Sequence, residues 1–414
     1  MTVSSRTNRK MGFMALRAGG AVLGAAALVA AGLATVQGPA SAAAAAAAAP
    51  QPKAAANNCL RASAGSQWNT CGYDPVYAFR KVYLDFCGRS PTTAEAASFS
   101  RLKGKSEEWK TSLSGALDTC LKSPYWLGTD GIVWRLANPK VAPATSIKAG
   151  TRPGSIPLAD YDFDYNLYSY INSGDRDVRE LLTATYYVKR TSDAPPTLVK
   201  MTEEELATKR GALGQLVPVD KRAGMLTTHW FGVVNTMFTA IPRTTAAAAY
   251  RSYLGHNIAK MQGLHPVQGE PIDYDAKGVQ APACAGCHST LDPLSYPFSR
   301  YNGISGGGTY AANRLNSFTK TDSERVVQAP ASGILLGQPV KDLVDWGRVA
   351  SNSEDFAQKV VFDYWKQLVG REPTAADQPE YTSLWKSLMS PTGSNYRVEK
   401  MLHELVLTNA YAAP

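Results

Sequence analysis

The chain has 414 residues, enough for two or three packed modules of ordinary size. Hydrophobic residues make up 44% and charged residues 19%, a globular balance. The formal charge of +9 is not gathered into a basic stripe, which argues against a nucleic-acid-binding protein.

The first residues point to export. Arg6, Arg9, Lys10 and Arg17 precede an uncharged apolar stretch from Ala18 to Val36, and Ala40-Ser41-Ala42 follows as a small-residue cleavage site. Residues 1–42 therefore read as a secretory signal peptide. The apolar stretch is nearly long enough for a retained anchor, but the three-part pattern favours cleavage. No cysteine follows a lipobox-like run, and the basic residues form no adjacent arginine pair. No other segment has the length and apolarity to cross a membrane. Cleavage removes those four basic residues and no acidic one, lowering the charge from +9 to +5. The mature chain is then only mildly basic, in the periplasm, at the cell surface or secreted. Residues 43–58 are Ala-rich with Pro50 and Pro52 and read as a flexible linker.

An internal repeat organises the rest. Gly88-Arg89-Ser90-Pro91-Thr92-Thr93-Ala94-Glu95 returns as Gly370-Arg371-Glu372-Pro373-Thr374-Ala375-Ala376-Asp377. Apolar residues at helical spacing precede each copy: Val76, Phe79, Val82, Tyr83 and Phe86, then Phe356, Val360, Val361, Tyr364, Trp365 and Leu368. The glycine is expected to end the first helix and the proline to block its continuation. Thr92 with Glu95 reads as a capping box for a second helix, and Thr374 with Asp377 as a weaker one. The fold class expected is mainly α. Helical-hairpin modules at residues 59–140 and 341–414 are expected to flank a central module at 150–340. Under the repeat alignment Cys87 takes the place of Val369, and Cys120 falls near Val406. Two facing core positions have become cysteine, so a Cys87–Cys120 disulfide is expected. Cys59 and Cys71 are left to pair with each other, as an oxidising compartment permits.

The central segment is expected to be helical over Val178–Lys189, Glu203–Leu213, Lys221–Phe238 and Ala246–Met261, with a loop over 262–283. Asp160, Asp162 and Asp164 alternate but lack the glycine and terminal glutamate of a calcium loop, so a polar turn is preferred. The glycines from Gly303 to Gly308 lack the Lys-Ser/Thr of a phosphate cradle and read as a flexible loop.

After that loop comes Cys284-Ala285-Gly286-Cys287-His288, the attachment signature of c-type haem. Thiols three residues apart share one face of a helical turn, so each can bond one porphyrin vinyl. The histidine immediately after them is placed against the iron. A zinc site would need two further ligands that no second motif supplies. A thioredoxin-type dithiol would sit near a βαβ pattern that is absent. A plain third disulfide leaves His288 without a role.

The run continues into Leu291-Asp292-Pro293, then Phe298 and Tyr301-Asn302, with Arg222-Ala223-Gly224-Met225-Leu226-Thr227 upstream and Gly370-Arg371 downstream. In these residues the chain resembles exported bacterial multidomain cytochrome-c-like proteins, a largely uncharacterised family. Ser295 stands where that family commonly has glycine, and Asn302 where it has aspartate. The resemblance implies one covalent haem c and electron transfer, with no defined substrate. Cys284 and Cys287 would be the attachment thiols and His288 the proximal iron ligand. Candidates for the opposite ligand are Met225, His229 and Met237, followed by His256, Met261, His265, Met389, Met401 and His403. The expected role is an exported monohaem cytochrome passing electrons between a protein donor and a protein acceptor. Two alternatives stand beside it: a haem-dependent or peroxidase-like oxidoreductase with an open distal site, and a cell-surface interaction protein whose haem is structural.

Overall fold

In the computed structural model the described residues are 72–413, apart from 103–104, 144–160, 194–195, 210–216, 261–265, 305–306 and 315–328. The expected signal peptide and linker, Cys59, Cys71, Asp160, Met261 and His265 lie outside the described residues.

The described chain is mainly helical, with two short hairpins. Helix α1 (Pro75–Cys87) starts where Asp74 accepts the amides of Val76 and Tyr77, with proline at the first position where no amide is needed. It ends at Gly88, whose φ of +67° suits glycine. Helix α2 (Thr93–Ser100) opens on a complete Thr92/Glu95 capping box. Helix α3 (Ser106–Cys120) returns against α1, and the Cys87–Cys120 disulfide joins the two.

Helices α4 (Ile132–Val141) and α5 (Asp162–Ile171) lead to a single helical turn, α6 (Glu180–Thr183). The helix expected over Val178–Lys189 does not extend further. From Val188 the chain is extended, and β1 (Val188–Asp193) pairs antiparallel with β2 (Pro196–Lys200), Val188 opposite Lys200. Val188, Thr191, Thr197 and Val199 suit a pleated surface better than a helix. Helix α7 (Glu203–Lys209) follows.

The long helix expected over Lys221–Phe238 is also broken. It consists of 3-10 turns at Val219–Lys221 and Gly224–Thr227 and then α8 (His229–Thr236). Gly224 breaks it: its φ is +53°, and a Cβ there would run into the Leu181 carbonyl. Helix α9 (Arg243–Ala249) passes into one π turn, Tyr250–Leu254, and stops at Gly255.

Helix α10 (Pro282–Ser295) is followed by the hairpin β3 (Gly333–Leu335) and β4 (Gln338–Val340). Helices α11 (Leu343–Ser351), α12 (Glu354–Val369), α13 (Gln378–Met389), α14 (Val398–Leu405) and α15 (Asn409–Ala412) complete the chain. The repeat holds through Gly370, which ends α12 at φ +82°. Beyond it both copies keep an arginine–acid pair, Arg89 with Glu95 and Arg371 with Asp377, but their second helices start differently. Helix α13 begins three residues later than its counterpart, because Pro379 favours the first turn of a helix. Thr374 Oγ1 consequently donates to Asp377 instead of capping a helix amide.

One apolar core runs through all three sequence segments, from Phe86 and Leu117 through Trp230 and Tyr253 to Trp346, Trp365 and Leu402. The two repeat copies also bond directly. Asp74 N donates to Ala412 O at 3.2 Å, and Tyr411 Oη donates to Asp85 at 3.1 Å.

Candidate functional site

Cys284, Cys287 and His288 all lie on α10, whose two halves differ in character. From Ala281 to Cys287 every residue but Ala285 is exposed, whereas Ser289, Asp292, Leu294 and Ser295 are buried. The buried half anchors the helix. Val267 N donates to Ser289 O at 3.1 Å, Tyr296 Oη donates to Glu270 at 2.7 Å, and Gly333 gives β3 a close approach to the Pro293 carbonyl. The exposed half thus presents two free thiols from a fixed base. Both are exposed and neither is bridged. Their i, i+3 spacing puts them on the same side of the helix.

His288 marks the transition, with 25% of its side chain exposed. Its Nδ1 lies 2.9 Å from Asp292 Oδ1, one helical turn on. A carboxylate accepts, so Nδ1 is the donor in this bond, and in the neutral ring that tautomer leaves the lone pair on Nε2. Asp292 has no exposed side-chain surface, and a carboxylate buried that deeply costs several kcal/mol unless paired. Arg243 on α9 provides the pair with two near-parallel bonds, Nε to Oδ1 at 2.6 Å and NH2 to Oδ2 at 2.8 Å. Its NH1 reaches Asp275 Oδ2 at 3.2 Å, and the other oxygen of that buried carboxylate has no hydrogen-bond partner. Burial alone would lower the arginine's pKa; the bond to Asp292 and the charges of Asp292 and Asp275 outweigh it and raise it. A polar chain therefore runs from His288 through Asp292 and Arg243 to Asp275.

These residues fit a covalently attached haem: two free thiols at the attachment spacing, and a histidine whose outer nitrogen is available as a ligand. Arg243 and Asp275 escaped the sequence reading. Asp292 entered it only through the motif, although its i+4 spacing from His288 was visible.

The candidates for the opposite ligand are dispersed. Met225 is buried in the apolar core. His229 opens α8 with its ring edge-on to Tyr187, 6.1 Å between centroids. Burial, with Arg222 adding to it, pushes His229 down to about 4, so it is neutral, and its buried Nε2 has no hydrogen-bond partner. Met237 is half-buried where α8 ends, its carbonyl accepting from Ile304 N at 3.0 Å. His256 pairs with Asp355, and His403 lies between Ser114 and Asp118. None of these contacts is with His288.

The Arg222–Thr227 stretch has an architectural role. The Arg222 guanidinium donates to the carbonyls of Val217 and Thr185 and pairs with Glu203, while Thr227 Oγ1 accepts the Ala223 amide. Gly303 and Gly308 lie against the carbonyls of Met237 and His229, which accounts for those two glycines without a phosphate. Asp164 is buried and accepts from Thr228. Among the described residues no three His, Cys, Asp or Glu side chains are grouped to hold a metal ion, and no helix is long and apolar enough to cross a membrane.

Comparison with protein-family models, with curated proteins and with solved structures finds no match.

Proposed function

We propose that the chain is an exported monohaem c-type cytochrome. The observation that carries this reading is the conjunction on α10 of two exposed, unbridged thiols with a histidine whose Nδ1 is engaged by Asp292. A haem bound there supplies a one-electron ferric–ferrous couple. Cys284 and Cys287 would each form one thioether bond. The thiol sulfur adds to a vinyl carbon and the thiol proton goes to its neighbour, so no oxidant is consumed. His288 would give its Nε2 lone pair to the iron, with Asp292 holding the ring. The electron donor and acceptor would be proteins. The signal-like start of the chain and the Cys87–Cys120 disulfide both suit an oxidising compartment.

The test is the haem content of the denatured protein after production in a host that matures c-type cytochromes. The native sequence is expected to retain one haem per chain, read as a reduced pyridine haemochrome. Cys284→Ser with Cys287→Ser is expected to retain none. Haem that leaves the native chain on denaturation would refute the reading.

A further inference from the structure

The chain from His288 to Asp275 does more than bury charge. A buried carboxylate that accepts from the non-ligating ring N–H of a ligating histidine, here Nδ1–H, fixes the ring and makes it a stronger electron donor. Stronger donation and an added negative charge both favour the ferric state, so the carboxylate pulls the reduction potential down. Arg243 is bonded to both oxygens of Asp292 and opposes that pull. Asp275 draws on the same guanidinium and weakens the opposition.

We propose that Asp292 is a positioning residue which presents His288 Nε2 to the metal and lowers the potential of the bound haem, and that Arg243, shared with Asp275, sets how far. This rests on the haem reading above. It assigns Asp292, Arg243 and Asp275 a task that burial and packing alone would not require. A simple salt bridge between α9 and α10 needs no histidine at its end, whereas here Asp292 Oδ1 serves Arg243 and His288 together.

Three full-length proteins test it: the native chain, Asp292→Asn and Asp275→Asn. Each is measured with haem by spectroelectrochemical titration. Each is also measured without haem by NMR of 15N-labelled histidine at about pH 9, well above the ordinary histidine range. Without haem, the native chain is expected to hold His288 in the Nδ1–H form, and Asp292→Asn to shift it toward a mixture. With haem, Asp292→Asn is expected to raise the midpoint potential by about a tenfold step in the oxidised-to-reduced ratio, ~59 mV for one electron. Asp275→Asn leaves the His288–Asp292 bond in place; it should raise the potential by a smaller step and leave the tautomer unchanged. It also keeps the inference testable if Asp292→Asn folds poorly. Haem retained with the same potential in all three proteins, or a tautomer indifferent to Asp292, would overturn the inference. Failure of the haem reading looks different: no covalent haem in the native chain.

Discussion

At the scale of single residues, the backbone and the buried charges impose the strictest demands. Gly224 combines a left-handed φ with a Leu181 carbonyl where a Cβ would stand. Gly224→Ala is expected to cost about 2–3 kcal/mol, measured by urea denaturation; an unchanged midpoint would refute this account of the turn. His288 and Asp292 show how far residue-level chemistry could be read in advance. The thiols and the histidine announce themselves by spacing, and the i+4 carboxylate could be seen from the same run. Arg243 could not: it lies 49 residues from Asp292 in sequence, and only the packing of α9 on α10 joins them. His229 shows the converse. Its residue type suits an iron ligand, yet burial against Tyr187 and Arg222 explains it equally well.

At the scale of elements, the repeated turn is the feature most fully legible in the sequence. Both copies place a glycine with positive φ at the helix end, then an arginine paired with an acid six residues on: Arg89 with Glu95, and Arg371 with Asp377. The bond to Arg371 holds the Asp377 carboxyl down at about 2 against the opposing effect of burial, with Thr374 adding to the lowering. A depressed carboxylate contributes stability in full above its unfolded value near 3.8 and loses it as the pH falls toward 2. Because Arg371 is half exposed, the contribution is about 1 kcal/mol. Asp377→Asn should therefore be less stable by that amount at pH 7, and its unfolding curve should converge with the native one near pH 2. Parallel curves across that window would contradict the assignment. The β1–β2 hairpin was not legible, because Leu181, Leu182, Tyr186 and Tyr187 mimic a helical face. A strand in this position is settled by pairing with Pro196–Lys200, which local periodicity does not report.

At the scale of the whole molecule, three stretches of sequence converge on Lys140. Its ammonium, buried on α4, donates to Ser252 O in the π turn and pairs with Asp363 on α12 at 2.8 Å. Burial lowers its pKa and Asp363 opposes the change. Lys140→Met removes a link among all three segments and leaves Asp363 to Lys359 alone. The expected loss is about 3 kcal/mol, read as a lower denaturation midpoint with a single transition retained, since one core spans the segments. Two separate transitions would mean that the segments unfold independently. Outside that shared core, the exposed half of α10 carries the two free thiols on which the proposed haem attachment rests. The most direct test is mass spectrometry of the tryptic peptide Gly278–Arg300 from protein matured in a host that attaches haem. The peptide is expected to carry one haem on Cys284 and Cys287. A peptide with two free thiols, or with a disulfide between them, would contradict the account.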